Sequence, residues 1–387
     1  MKHSILTAAA LTVLLALSPA PTDACTTAIV GAKASASGRP MMWKQRDAGG
    51  PGNVAAYVSE AGSFAFTGIF NSDDKGHKNV WAGINERGFA IMNNQSNNIS
   101  EEKYKARNGA VMKQALQTCT TVDEFEKMLR EMPQPCPTRA NFGVIDATGA
   151  AAYIEAGGAA INRFDVPEDG WLVRTNYSFS GIEGKGSGYA RYETAQYIME
   201  HHKGKFKAED LIDGLGRSFR NQVLGRDFLK GRSTDFVWDE DFIPRPTSRS
   251  STCIEGVMPG DRADSGLMWI APGYAPACYS IPVWVAAKDE IPSCLTANAD
   301  GQSEANLLAR RLQDSAHTLK RDAATKYIDL RVIRTILKRT RAAEAVEMKA
   351  GRELDGRFRR TGLDIEAVRK YNAAAAARFE DYRKTSE

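Results

Sequence analysis

The chain has 387 residues, of which 43% are hydrophobic and 25% charged, the balance of an ordinary globular protein with room for one large domain and an appendage. Its formal net charge of +4 is too small to argue for a nucleic-acid partner. No stretch beyond the N-terminus approaches the ~20 consecutive apolar residues of a membrane span, and the run at the N-terminus itself is short for one.

Residues 1–24 read as a secretory signal: Lys2 and His3 give a basic start, Ile5 to Leu17 an apolar run, Pro19 a break. Small residues then precede Cys25, with Ala24 at the last position before the cut and Thr22 two before it. Cleavage there predicts a periplasmic or secreted protein with no membrane attachment, and a mature chain that begins with cysteine. Such a residue carries both a thiol, titrating near ~8.5, and an α-amine, titrating near ~8, so it could serve as nucleophile and base together. A lipidated N-terminus is the competing reading of Cys25, but Thr22 stands where a lipobox has an aliphatic residue.

From Cys25 to Ile91 the pattern is short strands and turns: Ala28–Gly31, Met41–Lys44, Ala56–Ser59, Phe64–Ile69, Val80–Ile84 and Phe89–Met92. Asn85-Glu86-Arg87-Gly88 reads as a hairpin connection. Helices follow at Val111–Leu116 and Val122–Met132, the second opened by the capping box Thr121-Val122-Asp123-Glu124 and ended by Pro133 and Pro135. Strands return at Asn141–Asp146, Ala151–Glu155 and Trp171–Thr175. Helical stretches are expected around Tyr189–Met199 and Ala208–Leu229, and a last strand group at Thr252–Met258, Leu267–Ala271 and Val283–Ala286. Strands that cluster between groups of helices predict packed layers, an α+β fold rather than a doubly wound one.

After about Ser303 the composition changes. Leu307, Leu308, Leu312, Ile328, Val332, Ile333, Ile336 and Leu337 recur at helical spacing among dense Arg, Lys and Glu. The expected division is therefore a signal over 1–24, a main domain over 25–302 and a charged helical extension over 303–387. The extension reads as a solvated amphipathic cover or an oligomer contact.

Five cysteines accompany Cys25: Cys119, Cys136, Cys253, Cys278 and Cys294. Export permits disulfides, and Cys119 and Cys136 flank a helix and could meet, but an odd number leaves at least one thiol over. There is no CxxC spacing for structural zinc, and the adjacent His201 and His202 do not face one site on a helix, so no metal or organic cofactor is expected. Gly184-Lys185-Gly186-Ser187-Gly188 lies too far past its strand for a phosphate-binding turn. His77 is the candidate base for a papain-like Cys–His pair, secondary to the N-terminal arrangement.

Beyond Cys25, the densest polar cluster near the N-terminus is Trp43-Lys44-Gln45-Arg46-Asp47, at the end of a strand running beside the first. Lys44 or Arg46 could face a thiolate, and Asp47 could orient an α-amine. Asn93, Asn94 and Asn176 end strands and could donate to a developing oxyanion.

Together these features resemble the cysteine N-terminal nucleophile hydrolases, whose members include choloylglycine hydrolases, penicillin V acylases, the isopenicillin acyltransferase group and a related dipeptidase group. The resemblance rests on Cys25-Thr26-Thr27, Trp43-Lys44-Gln45-Arg46-Asp47, Gly83-Ile84-Asn85-Glu86-Arg87-Gly88, Asn141-Phe142-Gly143-Val144-Ile145-Asp146 and Arg174-Thr175-Asn176-Tyr177, in family order. It spans roughly Cys25 to Ala286 and implies a four-layer αββα sandwich, outside which the helical extension lies. It makes Cys25 the nucleophile with its amine as base, Asp47 the residue that orients the amine, Asn176 an oxyanion donor, and Asn94 or its neighbour Asn93 a second one. The family usually has arginine three residues before the aspartate, where this chain has Lys44, with Arg46 displaced by two. Arg249 could match a later arginine of bile-salt hydrolases, and Trp43, Phe66, Phe70 and Trp81 line a pocket or fill the core.

The implied activity is an exported amidase or acylase that hydrolyses a small-molecule linear amide through a Cys25 acyl-enzyme. Bile-acid conjugates, β-lactam side chains, fatty acyl amides and dipeptides all remain open as substrates. A dipeptidase is the nearest alternative, and a lipid-anchored periplasmic binding protein the alternative from another class.

Overall fold

The computed structural model describes residues 24–50, 52–101, 104–230, 235–238, 242–320 and 326–386. The expected signal segment, including Thr22 and Asp23, lies outside the described residues.

Six strands come first: β1 (Cys25–Val30), β2 (Met41–Asp47), β3 (Asn53–Val58), β4 (Phe66–Asn71), β5 (Val80–Asn85) and β6 (Ala90–Gln95). Helices α1 (Asn108–Thr118) and α2 (Val122–Glu131) separate them from β7 (Cys136–Ile145), β8 (Ala151–Gly158), β9 (Ala160–Asp165) and β10 (Trp171–Arg174). Next come α3 (Tyr189–Glu200), α4 (Ala208–Gly214) and the short strands β11 (Arg220–Asn221), β12 (Arg226–Asp227) and β13 (Phe236–Trp238). Strands β14 (Ser248–Glu255), β15 (Leu267–Ala271) and β16 (Ile281–Trp284) follow. The chain ends with α5 (Glu304–Ala316), β17 (Leu319–Lys320), β18 (Lys326–Asp329), α6 (Leu330–Thr361) and α7 (Ile365–Ser386).

Two antiparallel sheets carry the fold, one in the order β10-β1-β2-β14-β15-β16 and one running β3 to β9 in sequence. Between them, Ile29 and Met42 of the first sheet pack with Ala82, Ile84, Met92 and Tyr153 of the second. The outer face of the second sheet, with Phe66, Ile91, Phe142 and Ile154, is covered by Val111 and Leu116 of α1 and Phe125 and Leu129 of α2. On the outer face of the first, Trp43 and Cys253 share a core with Leu211 and Ile212 of α4 and Ile333 and Leu337 of α6. The layers are helix, sheet, sheet, helix: the αββα sandwich expected. Because both sheets are covered on both faces, their strands read as near-continuous apolar runs and not as alternation.

Local signals explain the element ends. Thr121 Oγ1 accepts from the Glu124 N–H at 3.1 Å, and the Glu124 carboxylate accepts from the Thr121 N–H at 3.2 Å, which closes the capping box of α2. Asn85 Oδ1 accepts from the N–H groups of Arg87 and Phe89 at 3.0 Å each, and Gly88 sits at φ +83°, so the hairpin between β5 and β6 has its turn chemistry in the sequence.

Two expectations are corrected. The helix expected over Ala208–Leu229 ends at Gly214, and a small hairpin of β11 and β12 replaces its second half. At Gly216 a Cβ would lie 2.5 Å from the Ile212 carbonyl, a turn only glycine permits. There the chain carries the buried Arg217 inward to the carbonyls of Ala275 and Cys278 and the carboxylate of Glu344. Cys119 and Cys136 do not meet; all six cysteines are free and buried.

The charged helices also differ from a purely solvated cover. Glu344, Glu347 and Asp355 of α6 are buried and paired, to Arg217, to Arg378 at 2.7 Å and to Arg359 at 2.6 Å. Apolar residues of α5, α6 and α7, among them Leu308, Ile333 and Phe379, belong to the same core cluster as the first sheet.

Candidate active site

Cys25 is the first residue of β1, and the strand pairing sets what surrounds it. Antiparallel register places Cys25 opposite Arg46 and Thr27 opposite Lys44, so these four side chains share the face of the first sheet that looks toward the second. The Cys25 side chain reaches the floor of a pocket of about 130 Å³. Its walls are Lys44, Arg46 and Asp47 of β2, Asn79 and Trp81 at the start of β5, Asn93 and Gln95 of β6, and residues 106–109 at the start of α1.

Lys44 Nζ donates to the Trp81 carbonyl at 2.8 Å and to Asn93 Oδ1 at 2.9 Å, which fixes the ammonium beside the thiol. Arg46 lies over the Trp81 ring, 4.5 Å from its centroid, and donates to Asn53 Oδ1 at 3.4 Å. Burial pushes the Cys25 thiol above its usual range; Lys44 is the largest opposing influence, Asp47 adds to the rise, and Arg46 lowers it least. The thiol is therefore protonated at neutral pH. Lys44 is held by its two hydrogen bonds at the pocket, while the Arg46 guanidinium lies over the Trp81 ring.

Asp47 is buried. Its Oδ1 accepts from Ser248 Oγ at 2.6 Å, and its Oδ2 has no hydrogen-bond partner among the described residues. Burial raises its pKa, against the lowering influence of Arg245 and Arg191. Its carbonyl oxygen accepts from the Ala24 N–H at 3.2 Å and lies 3.9 Å from Cys25 Sγ.

Asn176 follows β10, the strand on the other side of β1. Its Oδ1 accepts from the Cys25 N–H at 2.9 Å and from Arg191 at 2.8 Å, and its Nδ2 donates to the Gln95 carbonyl at 2.9 Å. Arg191, on the first turn of α3, also donates to the Cys25 carbonyl at 2.7 Å and to Thr26 Oγ1 at 2.8 Å. It ties the Cys25 backbone to Asn176. Sequence reasoning missed Arg191 because its partners lie 166 and 15 positions away and no local pattern marks it.

The remaining expected site residues divide. Trp81 lines the pocket. Trp43 points to the opposite face of β2, where its Nε1 donates to Ser251 Oγ at 2.9 Å, so it fills the core and does not line the site. Arg249 stands away from the thiol and donates to the carbonyls of Gly50, Pro246 and Ser248. Of the two asparagines, Asn93 lines the pocket, while Asn94 accepts from Thr27 Oγ1 at 3.3 Å and keeps a buried Nδ2 without a partner among the described residues. His77 is not among the pocket residues and packs tilted against Phe70, with ring centroids 4.4 Å apart. Among the described residues there is no cluster of His, Cys, Asp or Glu that could hold a metal ion.

Residues 54–216 match the family model of acyl-coenzyme A:6-aminopenicillanic acid acyl-transferases. No curated protein matches the chain. Among solved structures, it is similar to a Caenorhabditis elegans ortholog of N-acylethanolamine-hydrolyzing acid amidase, with 14% identity and a TM-score of 0.42 over 64% of this chain and 100% of that one. It is similar to a penicillin V acylase from Agrobacterium tumefaciens, with 14% identity and a TM-score of 0.42 over 73% and 89% of the two chains. A conjugated bile acid hydrolase from Clostridium perfringens overlaps with 11% identity and a TM-score of 0.40 over 67% and 92%.

Proposed function

We propose, on the premise that this chain is an N-terminal nucleophile hydrolase by its αββα fold and by the match over residues 54–216, that it is an exported amidase acting through Cys25. The observation that carries the reading is the convergence at one buried residue. The Cys25 sulfur faces a polar pocket beside Lys44, its nitrogen is held at 2.9 Å by Asn176, and the adjoining Asp47 has a buried carboxylate oxygen without a partner among the described residues. Cleavage after Ala24 would turn that amide nitrogen into an amine and give Asp47 Oδ2 a cation to accept from.

In the proposed cycle the α-amine, directly or through a water, takes the Sγ proton as sulfur bonds to the scissile carbonyl carbon. Charge moves onto the carbonyl oxygen, where the second N–H of Asn176 Nδ2 and Nδ2 of Asn93, the asparagine that lines the pocket, donate. Collapse breaks the C–N bond, the ammonium protonates the leaving nitrogen, and a thioester to Cys25 remains. Water, deprotonated by the same amine, hydrolyses the thioester to the acid and restores the thiol. Lys44 stabilises developing thiolate character that burial would otherwise oppose. The segment 1–24 would make export the activating step, with residues 25–302 as the catalytic unit and 303–387 as its helical cover.

The test compares the chain beginning at Cys25, the same chain with Ala24 retained, and Cys25→Ser, on a panel of acyl amides, β-lactams and dipeptides. Turnover by the first alone is expected, with retention of Ala24 costing about 10²–10⁴-fold for loss of the base. Full activity with Ala24 in place would remove the amine from the mechanism, and a diacylglyceryl mass on Cys25 would replace the hydrolase by an anchored protein.

A further inference from the structure

Behind the nucleophile strand lies a buried amide that the proposed chemistry does not use. Alternation along β2 turns Gln45 to the same face as Trp43, away from the thiol, between its register partners Thr26 of β1 and Ser251 of β14. Gln45 is wholly enclosed, yet neither its Oε1 nor its Nε2 has a hydrogen-bond partner among the described residues. Exchanging the two atoms changes nothing, since either orientation of the amide leaves an acceptor and a donor unmet. Two positions on is Asp47, also buried, whose Oδ2 is left in the same condition. The hydroxyls on either side are already engaged as acceptors: Thr26 Oγ1 takes a bond from Arg191 at 2.8 Å, and Ser251 Oγ one from Trp43 Nε1 at 2.9 Å. Each still has a hydrogen of its own to donate.

Resting on the reading of Asp47 as the group that orients the Cys25 amine, we infer that a buried water joins Gln45 to Asp47, and that Gln45 is a positioning residue for that carboxylate. Residues two apart on a strand stand about 6.6 Å apart, and a water bonded to both side chains spans about 5.6 Å. The water accepts from Gln45 Nε2 and donates to Asp47 Oδ2. Buried waters make about three bonds of this kind, to groups that would otherwise go unmet. An ionised carboxylate oxygen accepts more than one bond, so the water and the amine can share Oδ2. Charge around Asp47 comes from Arg191 of α3 and from Arg245 and Arg249 on either side of the start of β14, with the Cys25 thiol on β1. These cations favour the ionised form; the water sets where Oδ2 points.

The test uses the chain beginning at Cys25 with two substitutions. Gln45→Met keeps the length and removes the amide; Gln45→Asn keeps the amide and leaves more room for water. Carboxyl carbon-13 NMR, with the Asp47 signal identified by its loss in Asp47→Asn, reads the titration of Asp47 without any turnover. Gln45→Met is expected to raise that pKa by about one unit, because the ionised form loses a donor, and Gln45→Asn to keep most of the parent value. Urea unfolding gives a second reading. An amide buried with nothing to bond is better replaced by an apolar side chain of its shape, whereas losing a water-bridged amide strands Oδ2. A lower urea midpoint in Gln45→Met is therefore expected. On an amide substrate, Gln45→Met should lower kcat about tenfold with KM unchanged, since the amine is misdirected and binding is not. An unshifted Asp47 titration or a raised urea midpoint in Gln45→Met overturns the bridge, and an unchanged kcat overturns the positioning role. A shifted titration with no turnover of any amide by the parent chain supports the bridge and withdraws the amidase.

Discussion

Asp47 shows how much of the site is decided by single atoms. Its Oδ2 is buried without a partner among the described residues, and a group of that kind left unmet costs a folded protein about 1–3 kcal/mol. Because burial raises its folded pKa above the usual 3.8, the folded chain holds a proton there that the unfolded chain has lost. Stability is then highest below that value and declines as pH rises toward the folded pKa. Unfolding of the chain with Ala24 retained, followed from about pH 3.5 to about pH 8 against Asp47→Asn, should show the decline in the parent only. In the chain beginning at Cys25 the new ammonium should pair with Oδ2 and shrink the decline. An equal slope in both lengths would show that Asp47 does not meet the amine. On the proposed mechanism the same substitution should abolish amide turnover, since it removes the carboxylate proposed to orient the amine.

At the scale of elements, the loop after β10 that carries Asn176 is held by one buried carboxylate. Glu155 of β8 accepts from Arg174 Nε at 2.8 Å, from the Phe179 N–H at 3.0 Å, and from the Ser180 N–H and hydroxyl at 2.8 and 2.7 Å. Arg174 is further enclosed by Phe179, 3.9 Å from its ring centroid. Glu155→Gln leaves a buried guanidinium without its counter-charge, and about 3–5 kcal/mol of stability should be lost in urea unfolding. On the proposed mechanism the loosened loop should also lower kcat by about 10²-fold, because it misplaces Asn176, the proposed oxyanion donor. Ser180→Ala removes one of the four bonds and should lose far less on both counts. If it loses as much as Glu155→Gln, the clamp is the hydroxyl and not the ion pair.

For the whole molecule, the charged helices are structural partners of the first sheet. Gly351 of α6 approaches so closely that a Cβ would meet the Trp269 ring at 2.8 Å, and Arg352 lies over that ring, 4.9 Å from its centroid. Arg217 and Glu344 join the α4 region to α6 through a fully buried pair. Removal of residues 303–387 should therefore leave an insoluble chain and not a smaller working enzyme, since it uncovers the apolar outer face of β14 to β16. Calorimetry of the intact mature chain should show one cooperative transition. A soluble, active chain ending at 302 would show the helices to be dispensable.

The sequence by itself determined a good deal. Apolar runs located the strands of both sheets, the Thr121 capping box placed α2, and the motifs singled out Cys25, Asp47 and Asn176 as candidates with Lys44 or Arg46 left open, because each of these signals is written in consecutive residues. It failed where the signal is non-local. The edge strand β9, half-buried along most of its length, has no apolar run to mark it, and Gly216 with Arg217 broke a helix whose periodicity continued on paper. Only the tertiary structure decided that Lys44 and not Arg46 is fixed beside the thiol, that Trp43 faces away, and that Asn93 and not Asn94 lines the pocket. Strand pairing and the stacking of two sheets assign each side chain to a face, and those choices depend on partners tens to hundreds of residues distant. Arg191 and the start of α1 entered the site for the same reason: they are neighbours of Cys25 in space alone.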